Sequence, residues 1–151
     1  MPQPRSRSTA AATHDSVRFA RTRRAHRDET SEDYVEAIAQ LTLACPDPAH
    51  PGARVKDLAK MMGVSHVTVV RIVSRLRSLG LVQTSRARPI TLTDAGRALA
   101  AQSRARHEVV LDFLRAIGVP EAQAMVDAEG IEHHVSEETI KAMKKLLRSR
   151  E

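Results

Sequence analysis

Apolar side chains recur along most of this chain at spacings of three and four residues, broken by Gly and Pro, so the pattern is mainly helical. Residues 1–29 are the exception, with hardly an apolar side chain before Val17 and Phe19. Such a stretch buries too little surface to offset the cost of ordering, and it reads as a basic, disordered tail. A first helix is predicted from Thr30, whose hydroxyl suits an N-cap, through Tyr34, Ile38 and Leu41 until Pro46 and Pro48 stop it. Val55, Leu58, Ala59 and Met62 predict a short second helix closed by Gly63. Ser65 then caps a third, in which Val69, Ile72, Val73, Leu76 and Leu79 share one face and Gly80 lies past the end. Residues 81–84 and 90–92 read as two short strands around a tip at 85–89. A long helix is expected from about Thr93 to Ile117, and another after Pro120.

Helix, tight turn with glycine, then helix is the helix-turn-helix pattern. Opposite its apolar stripe the second of these helices carries Thr68, Arg71 and Arg75, with Ser65 and His66 at its N-terminal end, where a recognition helix meets base edges and phosphates. The hairpin that follows, with Arg86 and Arg88 near its tip, reads as a wing. Two short amphipathic helices joined by Gly are common in helical domains, so the motif alone is a weak signal. The order of helix, turn, basic helix and basic hairpin is far more specific.

Charge sharpens this picture. The net charge is +6, but it is unevenly spread. Residues 54–97 hold nine Lys and Arg against two acids, whereas 31–53 hold four acids and no Lys or Arg. A basic block of that density attracts a polyanion such as double-stranded DNA. The chain has two Phe, one Tyr and no Trp, too few rings for a surface that stacks single-stranded bases. One cysteine, Cys45, excludes an internal disulfide and a multi-thiolate metal site. No apolar run is long enough to span a membrane, and the expected compartment is the cytoplasm.

After Pro120 the apolar stripe that should continue from Ala122 and Met125 passes instead through Glu129, Glu132 and His133. Carboxylates at core positions are costly unless paired or bound to a metal. The i, i+3, i+4 spacing puts these three on one helix face, Asp33 and Glu36 repeat the i, i+3 spacing in the acidic block, and His107 falls on the inner side of the long helix. Singly, Asp33 reads as a capping acid and His107 as a core histidine. Together, four carboxylates and two imidazoles suit a hard to borderline divalent cation such as Mn²⁺. The fold class is therefore mainly α: an N-terminal winged helix-turn-helix with a small β-hairpin wing, followed by an α-helical dimerisation and metal-binding domain. The expected division is a tail over 1–29, the DNA-binding domain over 30–100 and the helical domain over 101–151. That last part is too small to bury a good core alone, so Leu111, Leu114, Ile131, Ile140, Met143 and Leu147 are expected to be hidden in a symmetric homodimer.

The order of these elements, with Arg106-His107-Glu108, the string Asp127-Ala128-Glu129-Gly130-Ile131-Glu132-His133-His134-Val135-Ser136 and Asp33-Tyr34-Val35-Glu36, resembles the manganese transport regulator branch of the diphtheria toxin repressor family over residues 30–147. The resemblance implies a Mn²⁺-activated, homodimeric repressor of metal-uptake genes that binds an inverted-repeat operator and takes no organic substrate. It also implies that Asp33, Glu36, His107, Glu129, Glu132 and His133 hold a binuclear site, with Fe²⁺, Co²⁺, Cd²⁺ or Zn²⁺ able to substitute. Iron-responsive members place sulfur ligands where Asp33 and Glu129 stand, and many carry a further small barrel for which this chain leaves no room. Two other classes bear on the same residues. One is a metal-independent winged-helix transcription factor with the acidic cluster as a salt-bridged dimer interface. The other is a two-metal hydrolase, which lacks an H-E-x-x-H motif and leaves the basic wing unexplained.

Overall fold

The computed structural model describes residues 8–149. In chain order these form α1 (Ser8–Leu43), α2 (Val55–Met62), α3 (His66–Ser78), β1 (Val82–Gln83), β2 (Thr91–Leu92), α4 (Asp94–Ala116), α5 (Glu121–Ile131) and α6 (Glu137–Arg148). The two strands pair antiparallel, Val82 opposite Leu92 and Gln83 opposite Thr91, and an isolated bridge joins Ala53 to Ile90 at the base of this wing.

Local signals place most boundaries where the sequence puts them. The Ser65 hydroxyl accepts from the Thr68 N–H at the start of α3, a cap worth about 1 kcal/mol. Thr93 caps α4 in the same way through Gly96, and Ser136 caps α6 through Thr139. Gly63 ends α2 with φ 66°, a left-handed conformation that costs a side chain more than it costs glycine.

The first helix departs from expectation. It does not begin at Thr30, whose hydroxyl instead donates to the His26 carbonyl within a continuous helix. Residues 8–29, expected to be disordered, are helical, while residues 1–7 of that tail lie outside the described residues. Two causes act together. No Gly or Pro interrupts residues 8–43, and Ala and Arg, strong helix formers, are frequent there. The packed segment around Tyr34, Val35 and Ile38 also supplies the nucleus, so propagation upstream needs no second nucleation.

Two cores lie along α4. The first joins Tyr34, Val35 and Ile38 of α1 to Leu58, Val69, Val73, Leu76, Val82, Ile90, Leu92 and Ala100. Full burial of each large aliphatic side chain there is worth roughly 1.5–3 kcal/mol. The second gathers Val110, Leu114, Ala124, Ala128 and Ile140, with Leu111, Ile131 and Met143 against it. Leu114 and Ile140 are thus buried within one chain, contrary to the expectation that they need a partner, because α4, α5 and α6 close on one another. The large apolar side chains left exposed on these helices are Ile117, Met125, Val126 and Leu146.

Gly96 seats α4 under the wing. A Cβ there would lie 2.0 Å from the Leu81 carbonyl oxygen, a backbone atom that cannot swing aside. Gly96→Ala is expected to destabilise the protein by about 1–3 kcal/mol, the usual cost of overpacking. Thermal unfolding checks this, and an unchanged midpoint would show that α4 can move away from Leu81.

Candidate metal centre and DNA-binding face

Three elements meet where α1, the middle of α4 and the end of α5 converge. Asp33 and Glu36 occupy one face of α1, and His107 projects from α4. Glu129 lies in the last turn of α5, Glu132 is its C-cap and His133 follows in the turn. Glu132 keeps helical backbone angles, so the i, i+3, i+4 alignment survives past the helix end.

The Glu132 side chain is only 4% exposed, yet among the described residues its ion-pair partners are imidazoles, not lysine or arginine. One carboxylate oxygen meets His107 Nδ1 in a very short contact, and the other lies 3.4 Å from His133 Nε2. Arg106 donates to the Glu132 backbone carbonyl and leaves the carboxylate free of a fixed positive charge. Burial pushes the Glu132 carboxyl up to about 7, against the opposing pull of His107. His133 is enclosed by acids: Asp33 Oδ1 at 3.1 Å from Nε2 and Glu32 Oε2 at 2.7 Å from Nδ1. Asp33 first, and Glu32 next, hold its pKa up at about 10.

Of the six residues singled out from sequence, His107, Glu129 and Glu132 bring ligand atoms within 4.8 Å of one another. His133 and Asp33 form a pair that touches this group through Glu132. Glu36 lines the cleft shared by Asp33, Glu129, Glu132 and His133. Glu129 is the exposed lip, His107 Nδ1 lying 3.9 Å away. The donor chemistry fits a divalent cation, since a buried carboxylate faces two neutralisable imidazoles with further carboxylates in reach. Sequence reasoning missed Glu32 and Arg106. Glu32 binds His133 Nδ1 and so directs Nε2 toward the cleft, and Arg106 in turn pairs with Glu32 at 3.8 Å. The signal was faint: Glu32 stands four residues before Glu36, on the same side of α1.

On α3, Ser65, His66 and Arg71 are exposed and Thr68 half-buried, while Arg86 and Arg88 are exposed at the wing tip. Arg75 departs from the expected outward role, because its Nη2 donates to the Arg27 carbonyl at 2.8 Å and the Ser31 hydroxyl at 2.9 Å on α1. Val67 and Val70, not singled out from sequence, are 80% and 55% exposed on this same helix. Exposed β-branched side chains there suit contact with thymine methyl groups.

A winged helix-turn-helix joined to a carboxylate–imidazole centre defines a metal-responsive DNA-binding regulator. Comparison with known proteins agrees. A Crp-like helix-turn-helix domain matches residues 48–100, and the iron dependent repressor metal binding and dimerisation domain matches residues 93–151. The Transcriptional regulator MntR of Salmonella typhimurium is 44% identical over 124 residues, 82% of this chain and 76% of that protein. The HTH-type transcriptional regulator MntR of Lysinibacillus sphaericus is 39% identical over 106 residues, 70% of this chain and 72% of that one. Among solved structures, the manganese regulator SloR superposes with a TM-score of 0.66 at 27% identity, over 78% of this chain and 53% of its own. A manganese-dependent transcriptional repressor in complex with manganese gives 0.65 at 29%, over 78% and 52%. The chain spans about half the length of these two solved proteins. It belongs to the diphtheria toxin repressor family, in its manganese transport regulator branch. Its relatives are transcriptional regulators, a non-enzymatic class. No helix among the described residues is long and apolar enough to cross a membrane.

The charges at the centre set a pH dependence of stability. Both shifts are upward, so both groups favour the folded state most when protonated. The Glu132 contribution is whole below 4.5 and lost as pH rises through about 7, and that of His133 is whole below 6.5 and lost through about 10. In chelator, Glu132→Gln is therefore expected to match the wild type near about pH 5 and exceed it in unfolding midpoint near about pH 8. A difference independent of pH would contradict the assignment.

Proposed function

We propose that this protein is a manganese-responsive repressor of metal-uptake genes, acting in the cytoplasm as a homodimer on an inverted-repeat operator. One observation carries the reading: Glu132 is buried between His107 and His133 where α1, α4 and α5 meet, with no lysine or arginine among the described residues on its carboxylate. Asp33, Glu36, His107, Glu129, Glu132 and His133 would hold the cation, in a binuclear site if two bind. The all oxygen and nitrogen donor set favours Mn²⁺, with Fe²⁺, Co²⁺, Cd²⁺ or Zn²⁺ able to substitute. By the usual order of affinities Zn²⁺ binds such donors at least as tightly, so selectivity lies in activation and not in affinity alone.

Asp33 and Glu36 sit on the helix that packs into the DNA-binding core, and His107, Glu129, Glu132 and His133 on α4, α5 and the turn after it. A cation held by both sets fixes one relative to the other. Ile117, Met125, Val126 and Leu146 are the large apolar side chains these helices leave exposed for a partner copy to cover. In a dimer the two copies of α3 must sit about one helical turn of DNA apart, roughly 34 Å, so restricting the relative motion of these parts raises affinity without new base contacts. A hundredfold gain requires a differential of about 2.7 kcal/mol. Ser65, His66, Thr68, Arg71, Arg86 and Arg88 meet DNA, and Arg75 braces α3 against α1.

Fluorescence anisotropy with DNA from upstream of the protein's own gene and of neighbouring transporter genes tests this reading. Tight binding is expected in Mn²⁺ and not in chelator. Glu129→Ala, at an exposed position that spares the fold, should lose most of the Mn²⁺ response. Arg71→Ala should weaken binding even with Mn²⁺. Metal-independent binding unaffected by Glu129→Ala would select the salt-bridged, metal-independent transcription factor instead.

A further inference from the structure

A second group of cation-ligating side chains gathers where the upstream part of α1 passes the end of α5. His26 and Glu29 stand at i, i+3 on α1, and His134 follows His133 in the turn after α5. Glu29 Oε2 lies 3.2 Å from His26 Nδ1 and 3.8 Å from His134 Nε2. The two rings are nearly perpendicular, at 89°, with centroids 6.4 Å apart. Among the described residues, both ion-pair partners of Glu29 are imidazoles. The neighbouring imidazoles of His133 and His134 thus serve different groups, His133 meeting Asp33 and Glu32 and His134 meeting Glu29.

We propose that His26, Glu29 and His134 form an additional divalent-cation site, of the borderline class that Zn²⁺ and Co²⁺ represent, which fastens the upstream turns of α1 to the end of α5. Two imidazoles and one carboxylate are a ligand set that Zn²⁺ takes readily, with water filling the remaining position. Nitrogen donors in the majority favour Zn²⁺ and Co²⁺ over Mn²⁺, which prefers oxygen. The three do not bring their ligand atoms within 4.8 Å of one another as His107, Glu129 and Glu132 do, so both rings must turn towards Glu29 on binding. His26 and His134 are more than half exposed, so they can do so without disturbing the core and water can reach the ion. Glu29 also lines the cleft that holds Asp33, Glu36 and Glu129, which gives a cation an open path. The ligands come from segments more than 100 residues apart, so an ion would hold in place a part of α1 whose side chains, including Arg23, Arg24 and Arg27, are otherwise exposed.

The test is a Co²⁺ and Zn²⁺ titration of the full chain, with bound metal counted by mass spectrometry after desalting, for wild type, His26→Gln, His134→Gln and the double variant. One equivalent fewer per chain in the variants, with circular dichroism unchanged, is expected. Glu129→Ala should keep this equivalent even as the main cleft loses its own, so failure of the main centre and failure of this one read differently. In wild type, Zn²⁺ should slow tryptic cleavage after Arg23, Arg24 and Arg27, and His26→Gln should remove that protection. Equal metal counts in wild type and variants, or cleavage indifferent to Zn²⁺, would overturn the proposal.

Discussion

The arrangement turns on one buried carboxylate. Glu132 is withdrawn from water at the point where three helices meet, and the groups facing it are His107 and His133. Isolated, a charge in that position would cost several kcal/mol, which the protein avoids by holding the carboxyl partly protonated and the imidazoles close. This is an environment a divalent cation improves, because the cation replaces the protons that otherwise hold like charges together. Asp33, Glu36 and Glu129 lie around the same cleft, where the protonated His133 imidazole offsets the acids in the place a cation would take.

Connection between metal and DNA follows from where the ligands are rooted. α1 contributes Asp33 and Glu36 from one face and Tyr34, Val35 and Ile38 to the DNA-binding core from another. α4 begins under the wing, where Gly96 touches Leu81, and ends in the second core at Val110 and Leu114. Both helices are therefore shared members of the reading head and of the centre. Arg75 adds a strut from α3 to the Arg27 carbonyl and Ser31 of α1. Displacements at the centre have a rigid route to α3 through these helices.

Much of this is written locally and can be read from the chain. The caps at Ser65 and Thr93, the glycine stop at Gly63 and the three-and-four spacing of Val69, Val73 and Leu76 act within a few residues, so sequence suffices. The acidic residues interrupting the apolar stripe of α5 announced the centre for the same reason. What sequence hid depends on contacts across the fold. The pairing of Glu32 with His133 spans 101 residues, and the turn of Arg75 onto α1 spans more than forty. The length of α1 was hidden differently: composition signalled too little burial for residues 8–29, while the packed half of the same helix supplies the nucleus they lack.

The central claim is that these buried charges are cation ligands and not a salt-bridged core. Anomalous diffraction from crystals grown with Mn²⁺ tests it most directly. The account predicts manganese density bounded by Asp33, Glu36, His107, Glu129, Glu132 and His133. Data in which manganese lies elsewhere, or in which Glu132 still meets only its two imidazoles at saturating Mn²⁺, would contradict it.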